Sequence, residues 1–269
     1  MKVRKAATAV VVLLISGCGG GSATAPPELW GESTASPPEL LPDLDQAPPA
    51  AISVVLRDGR ERLVFLSAVE NMGAGPLLLA GRRPSAAEPE MTARQIVRKI
   101  DGTATTHVLK ARLRFVVSAT HRHWHLLGFE RYELRTPDGK AVGRDRKTGF
   151  CLGDRYDADS DSRIPGEPPR AVWTQECGRG QRGRLRVFEG ISPGFGDDYV
   201  PLLEGQSIDV TGLPAGRYIL IHRANPDRDV RESSYSNNAA SALLNLGRDG
   251  QGPPTVTVLA TCPDTASCG

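Results

Sequence analysis

The chain has 269 residues, 39% hydrophobic and 24% charged. That is enough to bury one sizeable core and excludes fibrous, collagen-like and fully disordered classes. Its 33 basic and 31 acidic residues give a formal charge of +2, and without Lys2, Arg4 and Lys5 the balance is 30 against 31. A near-neutral chain lacks the broad positive field that a phosphate backbone selects for, so nucleic acid is not expected as a partner.

Residues 1–18 begin with those three bases, run through AATAVVVLLI and end Ile15-Ser16-Gly17-Cys18. A basic start followed by an apolar run too short to span a bilayer reads as a secretory signal. Gly19, Gly20 and Gly21 follow at once and argue against a buried helix here. The last four residues resemble a bacterial lipobox, which implies cleavage before Cys18, lipidation of its thiol and display on the outer face of the bacterial cell membrane. A plain secretory signal is the alternative. Residues 19–50 are Gly, Ser, Ala and Glu with seven prolines (Pro26, Pro27, Pro37, Pro38, Pro42, Pro48 and Pro49), the composition of an extended tether. The folded domain is expected over 51–269.

Within that domain short β-like runs alternate with turns: AISVVLRDG, RLVFLSAVENMGAGPLLLAG, ARLRFVVSAT, YELRTPDGKAVG, SIDVTGLPAGRYILIHRANP and TVTVLA. β-Branched residues and period-2 alternation dominate, and no sustained 3.6-residue period appears. Asp58-Gly59 and Pro137-Asp138-Gly139 mark turns, Gly supplying positive φ and Pro presetting φ. The pattern predicts an all-β fold, a single antiparallel β-sandwich-like domain.

Beyond Cys18 the cysteines are Cys151, Cys177, Cys262 and Cys268. An even number in an oxidising compartment predicts two disulfides; three pairings are open, and the short separations favour Cys151–Cys177 and Cys262–Cys268.

Three of the five histidines fall in Thr120-His121-Arg122-His123-Trp124-His125. On a strand, positions i, i+2 and i+4 share a face, so the three imidazoles point one way while Arg122 and Trp124 point the other, Trp124 into the core. A straight strand would hold the outer Cα atoms about 13 Å apart, so all three rings reach one ion only if the segment bends. Imidazole suits copper, zinc, iron or nickel. Downstream, Asp157, Asp159 and Asp161 alternate like the start of a calcium loop, but Ser162 and Pro168 stand where an EF-hand needs Gly and Glu, leaving only a calcium site of another kind. His222, in YILIHRANP, reads as a strand residue rather than a ligand.

The run HRHWH followed by FERYEL resembles the copper-binding segment of the lysyl oxidases. RKTGFCLGD, GISPGFGDDY, QSIDVTGLPAGRYIL, NPD and ESSYSNNA resemble further segments of that family in the same order. The resemblance covers about residues 52–262, most firmly 115–240. It implies a copper amine oxidase that builds its own cofactor, a lysine tyrosylquinone, from a lysine and a tyrosine. The implied copper ligands are His121, His123 and His125. The implied cofactor residues are Lys147, four positions before Cys151, and Tyr199; Asp197 matches an acidic residue two positions before that tyrosine, and Cys151 a disulfide cysteine.

There are departures. The stretch from Lys147 to Tyr199 is longer than in the animal enzymes and carries the inserted-looking runs DADSDSRIPGEPP and GRGQRGRLRVF; several of the family's cysteines are absent, and Arg131 stands where those enzymes have a histidine.

The chemistry so implied oxidises a primary amine, as in a lysine of a peptide or protein, to an aldehyde with O₂ as oxidant, releasing hydrogen peroxide and ammonia. A carboxylate beside Tyr199, Asp197 or Asp198, would serve as base. The contrasting reading is a non-catalytic β-sandwich on the cell surface that binds copper through the same histidines or serves adhesion, since PAGRY, NPD and ESSYSNN also resemble bacterial adhesion-related domains. Lys147 and Tyr199 discriminate the two, because only the oxidase needs both.

Overall fold

The computed structural model describes residues 36–118, 121–145, 149–158, 162–201, 203, 205–248, 250, 252 and 254–269. Among them every regular element is a β-strand, and all strand pairing is antiparallel.

The first sheet runs in the order β12 (Arg186–Ile191), β5 (Leu77–Arg82), β6 (Glu90–Lys99), β7 (Ala104–Val117), β8 (Arg122–Leu126), with β1 (Glu39–Leu40) added to β6. Its strands follow the two-residue period: in β6, Met91, Ala93, Gln95 and Val97 are buried while Arg94 and Arg98 face solvent. The second sheet is β10 (Ala141–Arg144), β9 (Glu130–Arg135), β15 (Gly216–Ala224), β16 (Ala239–Gly247), β17 (Thr255–Cys262). The third is β11 (Tyr156–Asp157), β13 (Phe195–Tyr199), β4 (Arg60–Asn71), β14 (Ser207–Asp209), with β2 (Leu44–Gln46) and β3 (Ala50–Arg57) also on β4. Strand β4 is the hub of this sheet. It pairs with four others and buries Leu63, Val64, Phe65, Ala68 and Val69, which is why its sequence is a nearly unbroken apolar run.

The expectation of an all-β, antiparallel domain is met. One contiguous core includes Phe65, Trp124, Tyr132 and Phe150, and Ile219, Ile221 and Cys268 form a small satellite. Both favoured disulfides are present, Cys151–Cys177 and Cys262–Cys268.

The boundary of the folded unit is corrected. It begins at Pro37 rather than 51. Residues 37–50 are not all tether, because Leu44 and Gln46, two positions apart on β2, are fully buried. The Leu44 N–H donates to Glu232 Oε2 (2.8 Å), and Glu232 Oε1 accepts from Asn225 Nδ2 (2.5 Å) and Asn238 Nδ2 (2.8 Å). Proline content dominated the composition of this stretch and masked the apolar pattern beneath it. Residues 1–18, expected to be a signal, with Cys18, and residues 19–35 of the expected tether lie outside the described residues.

Candidate metal centre and adjoining cavity

Strand β8 lies at the end of the first sheet. Its inner edge pairs with β7, setting Arg114 opposite His125, Phe115 opposite Trp124 and Val116 opposite His123. The other edge is held by two loops. Leu126 N–H donates to Phe150 O (2.8 Å) and Phe150 N–H to Leu126 O (3.0 Å), while Trp124 N–H donates to Cys177 O (3.0 Å). The Cys151–Cys177 disulfide joins those two loops, so one covalent link fixes the strand that carries the histidines.

His121 precedes β8 and is held to Ser118, whose N–H donates to His121 O (2.7 Å) and whose Oγ accepts from His121 N–H (3.0 Å). The His121 and His125 ring centroids are 5.1 Å apart, and His123 lies 5.1 Å from the first and 4.6 Å from the second, so the three rings converge. One ring nitrogen from each lies within 4.8 Å of the others, and all three residues are buried. They are the one such group found among the described residues. Three converging imidazoles fit copper, zinc or another borderline transition metal. On the opposite face Trp124 is fully buried as expected, with Phe115 edge-on at 5.6 Å and the Arg83 guanidinium 4.6 Å from its ring centre.

Tyr199 and Asp197 alternate on β13, opposite Ser67 and Val69 of β4. The Tyr199 hydroxyl accepts from Cys151 N–H (2.9 Å) and donates to Cys151 O (3.1 Å), with Asp197 Oδ2 at 3.5 Å. The Phe150 ring meets Tyr199 edge-on at 4.8 Å. Burial, then the neighbouring carboxylates, raise the Tyr199 hydroxyl well above its ordinary range and hold it as the phenol. Asp197 is 1% exposed. Burial pushes its carboxyl up to about 8, against the pull of Arg155, whose Nε lies 3.4 Å from Oδ1. His121, His123, Cys151, Arg155, Asp197 and Tyr199 all line one cavity of about 320 Å³, and Asp198 and Leu203 reach it too.

Lys147 lies outside the described residues. The chain after it packs tightly: a side chain on Gly149 would sit 2.5 Å from Leu126 O and 3.0 Å from His125 Cβ. Asp159 and Asp161 of the calcium reading are also outside, and Asp157 is exposed. Arg131 pairs with Asp227 at 3.1 Å. His222 is fully buried between Phe65 and Tyr132, whose ring centroids are 4.6 and 4.5 Å away, and burial lowers its pKa to about 3, so it is a packing residue.

Sequence reasoning missed two residues here. Arg155 touches both Asp197 and the Cys151 carbonyl (3.4 Å). Glu189, 1% exposed on β12, accepts from Leu152 N–H (3.4 Å), and burial raises its carboxyl well above the ordinary range. A carboxylate within the apolar strand RVFEGI was the available signal.

A lysyl oxidase family model matches residues 91–251. The chain belongs to the lysyl oxidase family. It is 31% identical to lysyl oxidase homolog 3 of Homo sapiens over 140 residues, which is 51% of this chain and 16% of that protein. Lysyl oxidase homolog 4 of Mus musculus gives 31% over 119 residues (44% and 14%), and lysyl oxidase homolog 2 of Gallus gallus gives 33% over 121 residues (44% and 13%). The match thus spans about one-seventh of the length of these relatives. For this lysyl oxidase family member, the resemblance carried by HRHWH and the runs after it is confirmed at the level of the family, and the matched region contains all three histidines, Asp197 and Tyr199.

Two expectations concern stability. Replacing Cys151 and Cys177 together by Ser opens a loop with a sequence separation of 26 and should cost about 3 kcal/mol in denaturant unfolding. An unchanged midpoint would show that the β8 edge is held without the link.

The second concerns pH in the metal-free protein. A carboxyl with a raised folded-state pKa stabilises the fold below its unfolded value and loses that contribution as pH rises through the folded one. Asp197 (about 8) and Glu232 (about 7) are both raised by burial. His222, lowered to about 3, acts in the opposite direction only below its unfolded value near 6.5. Thermal stability should therefore fall from pH 7 to 9, and less steeply in Asp197→Asn; a flat profile would contradict the burial of these carboxyls in protonated form.

Proposed function

We propose that this protein is a copper-dependent oxidase of primary amines, lysine side chains of peptides or proteins among them. It takes amine, O₂ and water to aldehyde, ammonia and hydrogen peroxide through a lysine tyrosylquinone derived from Lys147 and Tyr199. The observation that carries the reading is that two of three convergent, buried histidines line the same cavity as a buried tyrosine and a buried carboxyl. The donor set fits the metal: three imidazoles, with no free thiolate among the described residues, since the four described cysteines form disulfides.

His121, His123 and His125 would hold copper, which supplies one-electron chemistry with O₂ when bound. The chain's own residues do the rest. The Cys151 main chain fixes the Tyr199 hydroxyl from both sides, and the Phe150 ring fixes its plane. Phe150 is three positions from Lys147 in sequence, so a short stretch of chain separates the lysine from a neighbour of Tyr199. Asp197 Oδ2, 3.5 Å from that hydroxyl, is the group proposed to accept the substrate's α-proton, and Arg155 steadies the carboxylate once it is ionised.

The two disulfides suit an exported protein. The lipobox-like end at Cys18 supports attachment to the outer face of the cell membrane through lipid.

The test is peroxide release from copper-loaded protein over a panel of primary amines. Asp197 must be ionised to act as a base, so the rate should rise with pH, with a limb at or below about 8 because a bound cation lowers its pKa. Asp197→Asn should lose that limb and about 10²–10⁴ in rate. An unaltered pH profile in the variant removes Asp197 from the role; no peroxide from any amine favours the non-catalytic copper-binding reading.

A further inference from the structure

The outer face of the first sheet carries two cross-strand rows. One row is Arg186, Arg82, Thr92, Arg112 and the next is Phe188, Ala80, Arg94, Val108, read from β12 through β5 and β6 to β7. Arg186 and Arg82 are directly opposed. Like charges in that position destabilise a sheet unless an anion lies between them. Arg82, Arg94 and Arg186 are exposed and make no ion pair among the described residues. They flank a groove of about 540 Å³ with small residues, Ala80 and Thr92, along its middle, no carboxylate in its lining, and the half-exposed Phe188 at one side.

The groove does not stand alone. A second depression of about 420 Å³ shares Phe188 with it, and shares Glu176 and Arg179 with the cavity that holds His121, His123 and Tyr199. This connecting stretch is lined by Gly178, Arg179, Gln181 and Arg184, within the inserted-looking run GRGQRGRLRVF, so it belongs to the part of the chain that departs from the animal enzymes.

We propose that the arginine groove binds an acidic stretch of an extended polypeptide and, resting on the oxidase reading, thereby presents a lysine of that polypeptide to the Tyr199 cavity. Guanidinium forks match carboxylates in bidentate fashion, and Phe188 offers an apolar contact between them. A trough leading into a second cavity suits a single extended chain better than a flat lipid surface. Strand β5 lies three strands from β8, about 14 Å across the sheet. At about 3.3 Å per residue, with the detour through the connecting depression, the acidic stretch falls roughly five to seven residues from the lysine.

The test uses the copper-free full chain and fluorescein-labelled peptides with one lysine and, six residues away, a block of three Glu or three Ser, read by fluorescence anisotropy. The Glu peptide should bind at least tenfold tighter than the Ser peptide, lose that advantage in high salt, and weaken when the block is moved next to the lysine. Arg82→Glu with Arg186→Glu should reverse the preference toward a peptide with an Arg block, a gain that a misfolded variant cannot produce. Equal binding of Glu and Ser peptides, or an acidic preference that survives the double reversal, overturns the proposal. So does binding to phosphatidylglycerol vesicles without binding to the Glu peptide. Peroxide release from the same peptides by copper-loaded protein is read separately: acidic preference in binding without peroxide leaves the groove standing and removes the oxidase reading, and peroxide release with no acidic preference does the reverse.

Discussion

His123→Ala should leave the protein without stoichiometric copper. His123 is the middle member of the group, with its ring 5.1 Å from His121 and 4.6 Å from His125, so its removal leaves two imidazoles from the ends of the segment with no third donor between them. Loss of partners behind a metal ligand already costs about 10–100-fold in affinity, and loss of a ligand should exceed about 100-fold. The fold should survive, since Trp124 packing, the β7 pairing and the Cys151–Cys177 link hold β8 independently of the metal. Copper content after dialysis against a competing chelator, together with the paramagnetic spectrum, reads the result. Full occupancy with an unchanged spectrum would remove these histidines as the metal centre.

Tyr199→Phe and Lys147→Arg should each abolish amine oxidation while retaining copper. The first keeps the ring against Phe150 but deletes the hydroxyl that both accepts from and donates to the Cys151 main chain. It should cost about 1–3 kcal/mol of stability, because a buried N–H loses its partner. Without the oxygen no quinone can form, so a redox-cycling quinone stain should be blank. The second keeps the positive charge but replaces an amine with a guanidinium that stays protonated and is a poor nucleophile. Copper-loaded variants with wild-type peroxide release would contradict both assignments. If only the Lys147 variant stayed active, the tyrosine would act without that lysine.

What could be read in the sequence follows the range of the signals. The alternation of His121, His123 and His125 is local, and period 2 alone placed them on one face; Asp197 and Tyr199 were legible only through the family resemblance of GISPGFGDDY. Turn glycines and cysteine spacing gave an all-β chain and a preferred disulfide pairing. The convergence of the three rings was not legible in the same way: His121 is tied to Ser118, and the β8 edge is held by two distant loops joined by a disulfide, which no window of sequence displays. The hub role of β4, the burial of Glu189 beside Leu152 and the arrival of Arg155 at the cavity come from contacts between segments far apart in the chain. At the N-terminus the prolines carried the composition, whereas Leu44 and Gln46 decided the structure. The arginine groove was invisible for a related reason: a chain near neutrality can still concentrate one sign of charge where cross-strand register lines it up.

The central claim, a cofactor made from Lys147 and Tyr199 beside a three-histidine copper site, is tested most directly by peptide mapping of copper-loaded, aerated wild-type protein by mass spectrometry. The expected result is one cross-linked species containing the RKTGFC and GISPGFGDDY segments, absent from Lys147→Arg and from protein kept free of copper. Recovery of both segments as separate, unmodified peptides at full yield would contradict it.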